Sequence, residues 1–222
     1  MFTLISAGIA PGIALMSFFY LKDKYEPEPI LMVVRTFLFG ILLVFPVMVL
    51  QFGIHEEMLI PDWVDAFFVS SLLEEFLKWF LLYFAAYQQI EFNDPYDGII
   101  YGASISLGFA TAENVLFLFA NGIETAMLRA FLPVQCHALF GVMMGYYLSR
   151  AKFTDSFKMK RKYIIYSLFI PILYHGLYDY IILYHIKRWI YIMFPFMLFL
   201  WWLGLRKVKH AQHASKNIYS NK

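Results

Sequence analysis

Long apolar stretches dominate the chain, each about as long as a bilayer core is thick and separated from the next by a short polar connector. Runs over about 2–21, 31–53, 67–87, 97–120, 130–149, 163–184 and 189–205 each meet the roughly 20-residue length that an α-helix needs to cross hydrocarbon. The pattern predicts an all-α, polytopic membrane helix bundle of about seven to eight transmembrane helices, a single integral-membrane domain over residues 1–222. Ala10-Pro11-Gly12 should kink the first run, because proline removes a backbone donor. That run carries no basic leader and is expected to be a retained span. Gly98/Gly102 and Gly141/Gly145 have the small-residue spacing that lets membrane helices approach closely.

Composition agrees: 61% of residues are hydrophobic and 15% charged, against about 25% charged in soluble chains. The net charge of +2 matters through its placement, and no nucleic-acid partner is expected. Residues 150–162 hold Arg150, Lys152, Lys158, Lys160, Arg161 and Lys162 against Asp155 alone, which assigns this loop to the cytoplasm by the positive-inside rule. With it go the turn at 22–30 and a basic tail of about 206–222. The 54–66 loop, with Glu56, Glu57, Asp62 and Asp65 and no Lys or Arg, then lies outside, as does the N-terminus. Lys187 and Arg188 fall outside against the rule, and Trp201-Trp202 read as interface anchors. Cys136, the one cysteine, excludes an intramolecular disulfide and reads as packing.

The exceptional positions are the ionisable ones within the apolar runs. Glu74, Glu75 and Lys78 sit in the third, Glu113 with Asn114 in the fourth, His137 in the fifth, His175 and Asp179 in the sixth. Such groups are disfavoured by roughly 2.5–3.5 kcal/mol at a membrane-helix centre, so they usually face a bundle interior and carry function. At 1.5 Å per residue, the two glutamates lie roughly 11 Å from the outer end of their span, Glu113 and His137 about 10 Å, and His175 and Asp179 roughly 14 and 8 Å. One level on four helices predicts one polar site in the outer half of the membrane.

Lys78 stands i+4 from Glu74 and i+3 from Glu75, so its ammonium can neutralise one carboxylate on its own helix. Neighbouring residues point about 100° apart, which leaves the other glutamate free to face a cavity as a general base. His175 and Asp179, one turn apart, can fix an imidazole tautomer or share a metal. Ser104, Ser106, Thr111 and Ser167 read as backbone-bonding hydroxyls, with no nucleophile among them.

Glu-Glu-x-x-Lys at 74–78, Phe-x-x-x-Glu-Asn from Phe109 to Asn114, His-Gly-x-x-Asp at 175–179 and the Tyr25-Glu26-Pro27-Glu28-Pro29 turn resemble the motifs of PrsW-type intramembrane proteases over essentially the whole chain. That family is similar to the CAAX-prenyl endopeptidases, which carry histidine where this chain has Glu113. The resemblance implies a membrane-embedded endopeptidase that makes the site-1 cut in a single-span anti-sigma factor such as RsiW, on the extracytoplasmic side of the cell membrane, freeing a sigma factor under envelope stress.

Under that reading Glu74 is the base, Glu75 pairs with Lys78, His175 polarises the substrate carbonyl with Asn114 and Asp179 nearby, and Glu113 and His137 orient the centre, with Phe109 supporting. The reading favours a glutamate-activated water without a metal. Zinc is the alternative, with Glu113, His137 and His175 as candidate ligands and no His-Glu-x-x-His pair. Two rival functions fit the same residues less well. A proton-coupled carrier would need groups lining a path across the membrane, and a scaffold holding a partner helix would rely on Gly8/Gly12, Gly98/Gly102 and Gly141/Gly145.

Overall fold

A backbone in hydrocarbon must satisfy its own hydrogen bonds, which makes helices of apolar runs. The computed structural model describes residues 1–184 and 189–220, and helices account for nearly all of them. In order they are α1 (Phe2–Tyr20), α2 (Ile30–Glu57), α3 (Asp62–Val64), α4 (Leu72–Leu82), α5 (Asp97–Asn121), α6 (Ala126–Phe131), α7 (Pro133–Lys152), α8 (Phe157–Tyr184) and α9 (Trp189–Ser220). Six helical stretches are long and apolar enough to cross a membrane: Phe2–Tyr20, Ile30–Glu57, Asp97–Asn121, Ile123–Lys152, Phe157–Leu183 and Trp189–Ser220. A seventh, unbroken over 62–87, contains α3, α4 and two π-helical segments, Asp65–Ser71 and Tyr83–Tyr87. Helix therefore occupies all seven apolar runs, six of them long and apolar enough to cross a membrane, and the chain is a multi-pass helical membrane protein.

α1 continues as helix through Pro11, held against α5 along its glycine face. Two local expectations change. α9 continues as helix to Ser220, so residues 206–220 are not a separate tail. Val208, Ala211 and Ser215 are buried on one side of this extension, Ser215 Oγ donates to Asp94 Oδ1 at 2.5 Å, and Gln212 Nε2 donates to the Lys22 carbonyl at 2.6 Å. Trp201 turns inward and donates from Nε1 to Gln135 Oε1 at 2.7 Å, while Trp202 faces outward. Lys187 and Arg188 lie outside the described residues.

α5 is the central post, buried at every position from Asp97 to Thr111. Its contact with α7 is backbone on backbone: a Cβ added at Gly102 would lie 2.3 Å from the Gly141 oxygen, and one at Gly145 would lie 1.6 Å from the Gly98 oxygen. No side chain larger than hydrogen fits there, and this approach gives the membrane interface its van der Waals contact. α1 and α2 pack on α5, α8 and α9 on α7, and the 62–87 stretch closes the bundle between α2 and α8. One end of the bundle gathers the turns at 21–29 and 88–96 with the end of α9. The other gathers 58–61 and 122–132, and the ionisable residues lie toward it.

Candidate active site

Two features of the chain bring α4 and α8 together. The π-helical segment Asp65–Ser71 leads directly into the acidic turn, and such segments recur at functional sites because they re-aim the residues that follow. Opposite it, a Cβ added at Gly176 would lie 2.2 Å from Phe67 Cδ1. The glycine beside His175 thus lets α8 close onto residues 65–71.

Lys78 is completely buried between the acids. Its Nζ donates to Glu75 Oε1 at 2.8 Å and to Glu74 Oε2 at 3.2 Å, and lies 3.2 Å from His137 Nδ1. An ammonium has three donors, and here each has an acceptor. The Phe109 ring lies beneath it, 3.9 Å from centroid to Nζ, a cation–π contact that helps to compensate for lost hydration. The spacing suggested that Lys78 would neutralise one carboxylate; it reaches both, since i+3 and i+4 partners lie on the same side of one helix.

The two glutamates are nonetheless unequal. Glu75 is fully buried, accepts from His175 Nδ1 at 2.9 Å as well as from Lys78, and leaves Oε2 without a hydrogen-bond partner among the described residues. Glu74 is 8% exposed and receives Gln51 Nε2 at 3.3 Å. His175 Nε2 lies 3.5 Å from Asp179 Oδ2 and 3.9 Å from Glu74 Oε2, and Ser70 Oγ donates to Asp179 at 2.6 Å.

The network assigns the His137 tautomer and places a proton on His175 Nδ1. Lys78 can only donate, so His137 Nδ1 accepts and Nε2 carries the proton, which it gives to Glu113 Oε2 at 3.1 Å. Likewise His175 Nδ1–H donates to Glu75, leaving Nε2 directed at Glu74 and Asp179. Glu113 also accepts from Arg129 Nη2 at 2.9 Å. Asn114 is fully buried, its amide donating to the Gly8 carbonyl at 2.9 Å and accepting from Arg129 Nε at 3.0 Å. Both of its polar ends are engaged in bracing α1 and α6.

Glu74, Glu75, His137 and His175 each offer a ligand atom, and these atoms all lie within 4.8 Å of one another. Two carboxylates and two imidazoles suit zinc and related divalent ions, and the unpartnered Glu75 Oε2 is an orphaned acceptor inside the group. This set shares His137 and His175 with the candidate ligands read from sequence, while Glu113 lies behind His137, bonded to the nitrogen that faces away from Lys78. Sequence reasoning missed Arg129, Gln51 and Ser70. Arg129 had a signal, being the one Lys or Arg between residues 97 and 149.

A family model described as PrsW family intramembrane metalloprotease matches residues 28–203. Protease PrsW of Geobacillus kaustophilus is 55% identical over 213 residues, spanning 96% of this chain and 93% of that protein. The protein of the same name from Bacillus subtilis is 54% identical over 216 residues, 97% of this chain and 98% of its own. Protease PrsW of Clostridioides difficile is 30% identical over 210 residues, 90% of this chain and 88% of that one. No solved structure matches the chain.

Proposed function

The chain belongs to the PrsW family of intramembrane metalloproteases, membrane-embedded hydrolases of peptide bonds, and on that premise we propose that its cleavage centre is the cluster around Glu74, Glu75 and His175. The observation that carries this reading is the convergence of Glu74, Glu75, His137 and His175 from three helices within 4.8 Å. Glu74, at the accessible edge, takes a proton from a water while that water's oxygen attacks the scissile carbonyl carbon. His175, when protonated, offers Nε2–H to the oxyanion that develops. Glu74 then returns its proton to the leaving amine nitrogen as the C–N bond breaks. Lys78 and Glu75 form the fixed, paired base of the site, and Asp179 holds the His175 ring.

The donor set also fits a metal ion of the kind the word metalloprotease in the family's description implies, which Glu74, Glu75, His137 and His175 would hold. Bound there, such an ion would polarise the scissile carbonyl and lower the pKa of a water. The Lys78 ammonium stands within 3.2 Å of acceptors on three of those four residues and supplies positive charge to the same space.

The substrate we propose is a single-span membrane protein, an anti-sigma factor such as RsiW, cut near the outer face. The cation-rich 150–162 loop supports that orientation, with the N-terminus outside and the C-terminus in the cytoplasm. Purified protein in liposomes with a single-span anti-sigma factor tests the whole reading. Cleavage is expected, without solute or proton flux, and a substrate left intact under every condition would overturn it. A parallel arm with a zinc chelator decides between the two chemistries: cleavage that survives chelation assigns the step to Glu74 and water alone, and cleavage restored by added zinc assigns a metal.

A further inference from the structure

α6 is a short helix at the end of the bundle nearest the site. It exposes Met127, Leu128 and Phe131 on one face and sends Arg129 inward from the other. The Arg129 side chain is 11% exposed. Its guanidinium lies 4.1 Å from the Phe117 ring centroid and grips two adjacent residues of α5, Glu113 Oε1 at 2.9 Å and Asn114 Oδ1 at 3.0 Å. Glu113 has one oxygen on Arg129 and the other on His137 Nε2, and His137 Nδ1 takes the third proton of Lys78. A chain of single contacts therefore runs from the short helix α6 to the ammonium between the two catalytic-site acids.

We propose that Arg129 is a positioning residue of this protease: it fixes Glu113, and through Glu113 the ring orientation and Nε2–H tautomer of His137, so that Nδ1 stays an acceptor for Lys78. The role rests on the hydrolytic reading of the cluster but has its own geometry. The Glu113 side chain is 35% exposed, open enough to turn away once the guanidinium is gone. His137, 4% exposed, would then keep a buried N–H with no acceptor, a state that favours tautomer exchange. Lysine at 129 would restore the charge but not the two-point grip.

The test uses full-length protein in liposomes as wild type, Arg129→Ala and Arg129→Lys, with cleavage kinetics and ¹⁵N NMR of histidine-labelled protein, the His137 signals assigned through His137→Gln. In Arg129→Ala, His137 is expected to move from a single Nε2–H pattern to mixed tautomers. Its kcat is expected to fall by about tenfold or more with KM within about twofold, and Arg129→Lys to recover part of the loss. Unchanged His137 signals in Arg129→Ala would overturn the proposal, as would a rise in KM at constant kcat or a lysine variant no better than alanine. The NMR arm needs no substrate. Tautomer exchange in a protein that cleaves nothing would sink the hydrolytic reading and keep this one, and intact cleavage with unmoved signals would do the reverse.

Discussion

His175 Nδ1 lies 2.9 Å from Glu75 Oε1, across 100 residues of sequence. The contact ties α8 to α4 and fixes which face of the imidazole looks toward Glu74. Because Glu75 is also the shorter partner of Lys78, one buried carboxylate holds two cationic or hydrogen-bonding groups from two helices.

Removing one partner of a buried pair leaves the other uncompensated, at a cost of about 3–5 kcal/mol. Glu75→Gln is therefore expected to lower both thermal stability and activity, whereas Glu74→Gln, at the more exposed edge, should lose activity with a smaller loss of stability. Melting in detergent, followed beside cleavage, checks the pair. Equal melting losses would show that the two acids are not divided into a structural and a reactive one.

The α5–α7 contact gives a prediction on folding alone. With its Cβ 1.6 Å from the Gly98 oxygen, alanine at position 145 must push the two central helices apart. Gly145→Ala should reduce the folded fraction recovered from membranes, with a loss of at least about 1–3 kcal/mol by the usual cost of overpacking. Wild-type melting behaviour would contradict the backbone contact.

Gly176→Val addresses the site more directly. The new side chain must displace Phe67, whose Cδ1 lies 2.2 Å from the added Cβ, and so carry His175 away from Glu75. A shift of about 1 Å can cost on the order of 100-fold in rate. Cleavage by Gly176→Val should fall on that scale, and a second change, Phe67→Ala, should restore part of it by making room. No recovery in the double variant would count against this cause.

At the other end of the bundle, burial pushes the Asp23 carboxyl from 3.8 up to about 6, although the Tyr25 and Glu26 backbone amides lower it. Asp94 nearby adds to the rise. The folded chain then binds this proton more tightly than the unfolded one. Its contribution to stability therefore grows as pH falls through about 6 and is complete below the unfolded value of 3.8. Glu28, also raised by burial, works in the same direction. The protein should melt higher at about pH 5 than near pH 7.5, and Asp23→Asn should flatten that slope by on the order of 1–3 kcal/mol. An unchanged slope would remove Asp23 as its source.

Much of this was legible before any coordinates. The helix rise alone placed Glu74, Glu75, Glu113, His137, His175 and Asp179 at one depth, and the structure brings them into one cluster. Depth says nothing about rotation about a helix axis, which is why Glu113 was expected among the metal candidates although it stands behind His137. The π-helical turn at Asp65–Ser71 leaves no mark in apolar periodicity, since every residue there suits an α-helix equally well. Arg129 stands out in sequence as the one Lys or Arg between residues 97 and 149, but its partners lie on the preceding helix, and only the fold of the 122–132 connection turns its side chain inward. The helical course of residues 206–220 was hidden by basic composition, which masks the buried line of Val208, Ala211 and Ser215.

Cleavage at this centre turns on Glu74 delivering water to a peptide bond. Single-turnover cleavage of a single-span substrate in liposomes made up in ¹⁸O-water, by wild type and Glu74→Gln side by side, measures this directly. The wild type should place ¹⁸O in the newly formed carboxyl terminus, and Glu74→Gln should bind the substrate but cleave it about 10²–10⁴-fold more slowly, the range for loss of a general base. Cleavage by Glu74→Gln at the wild-type rate, or a new carboxyl terminus without the label, would contradict it.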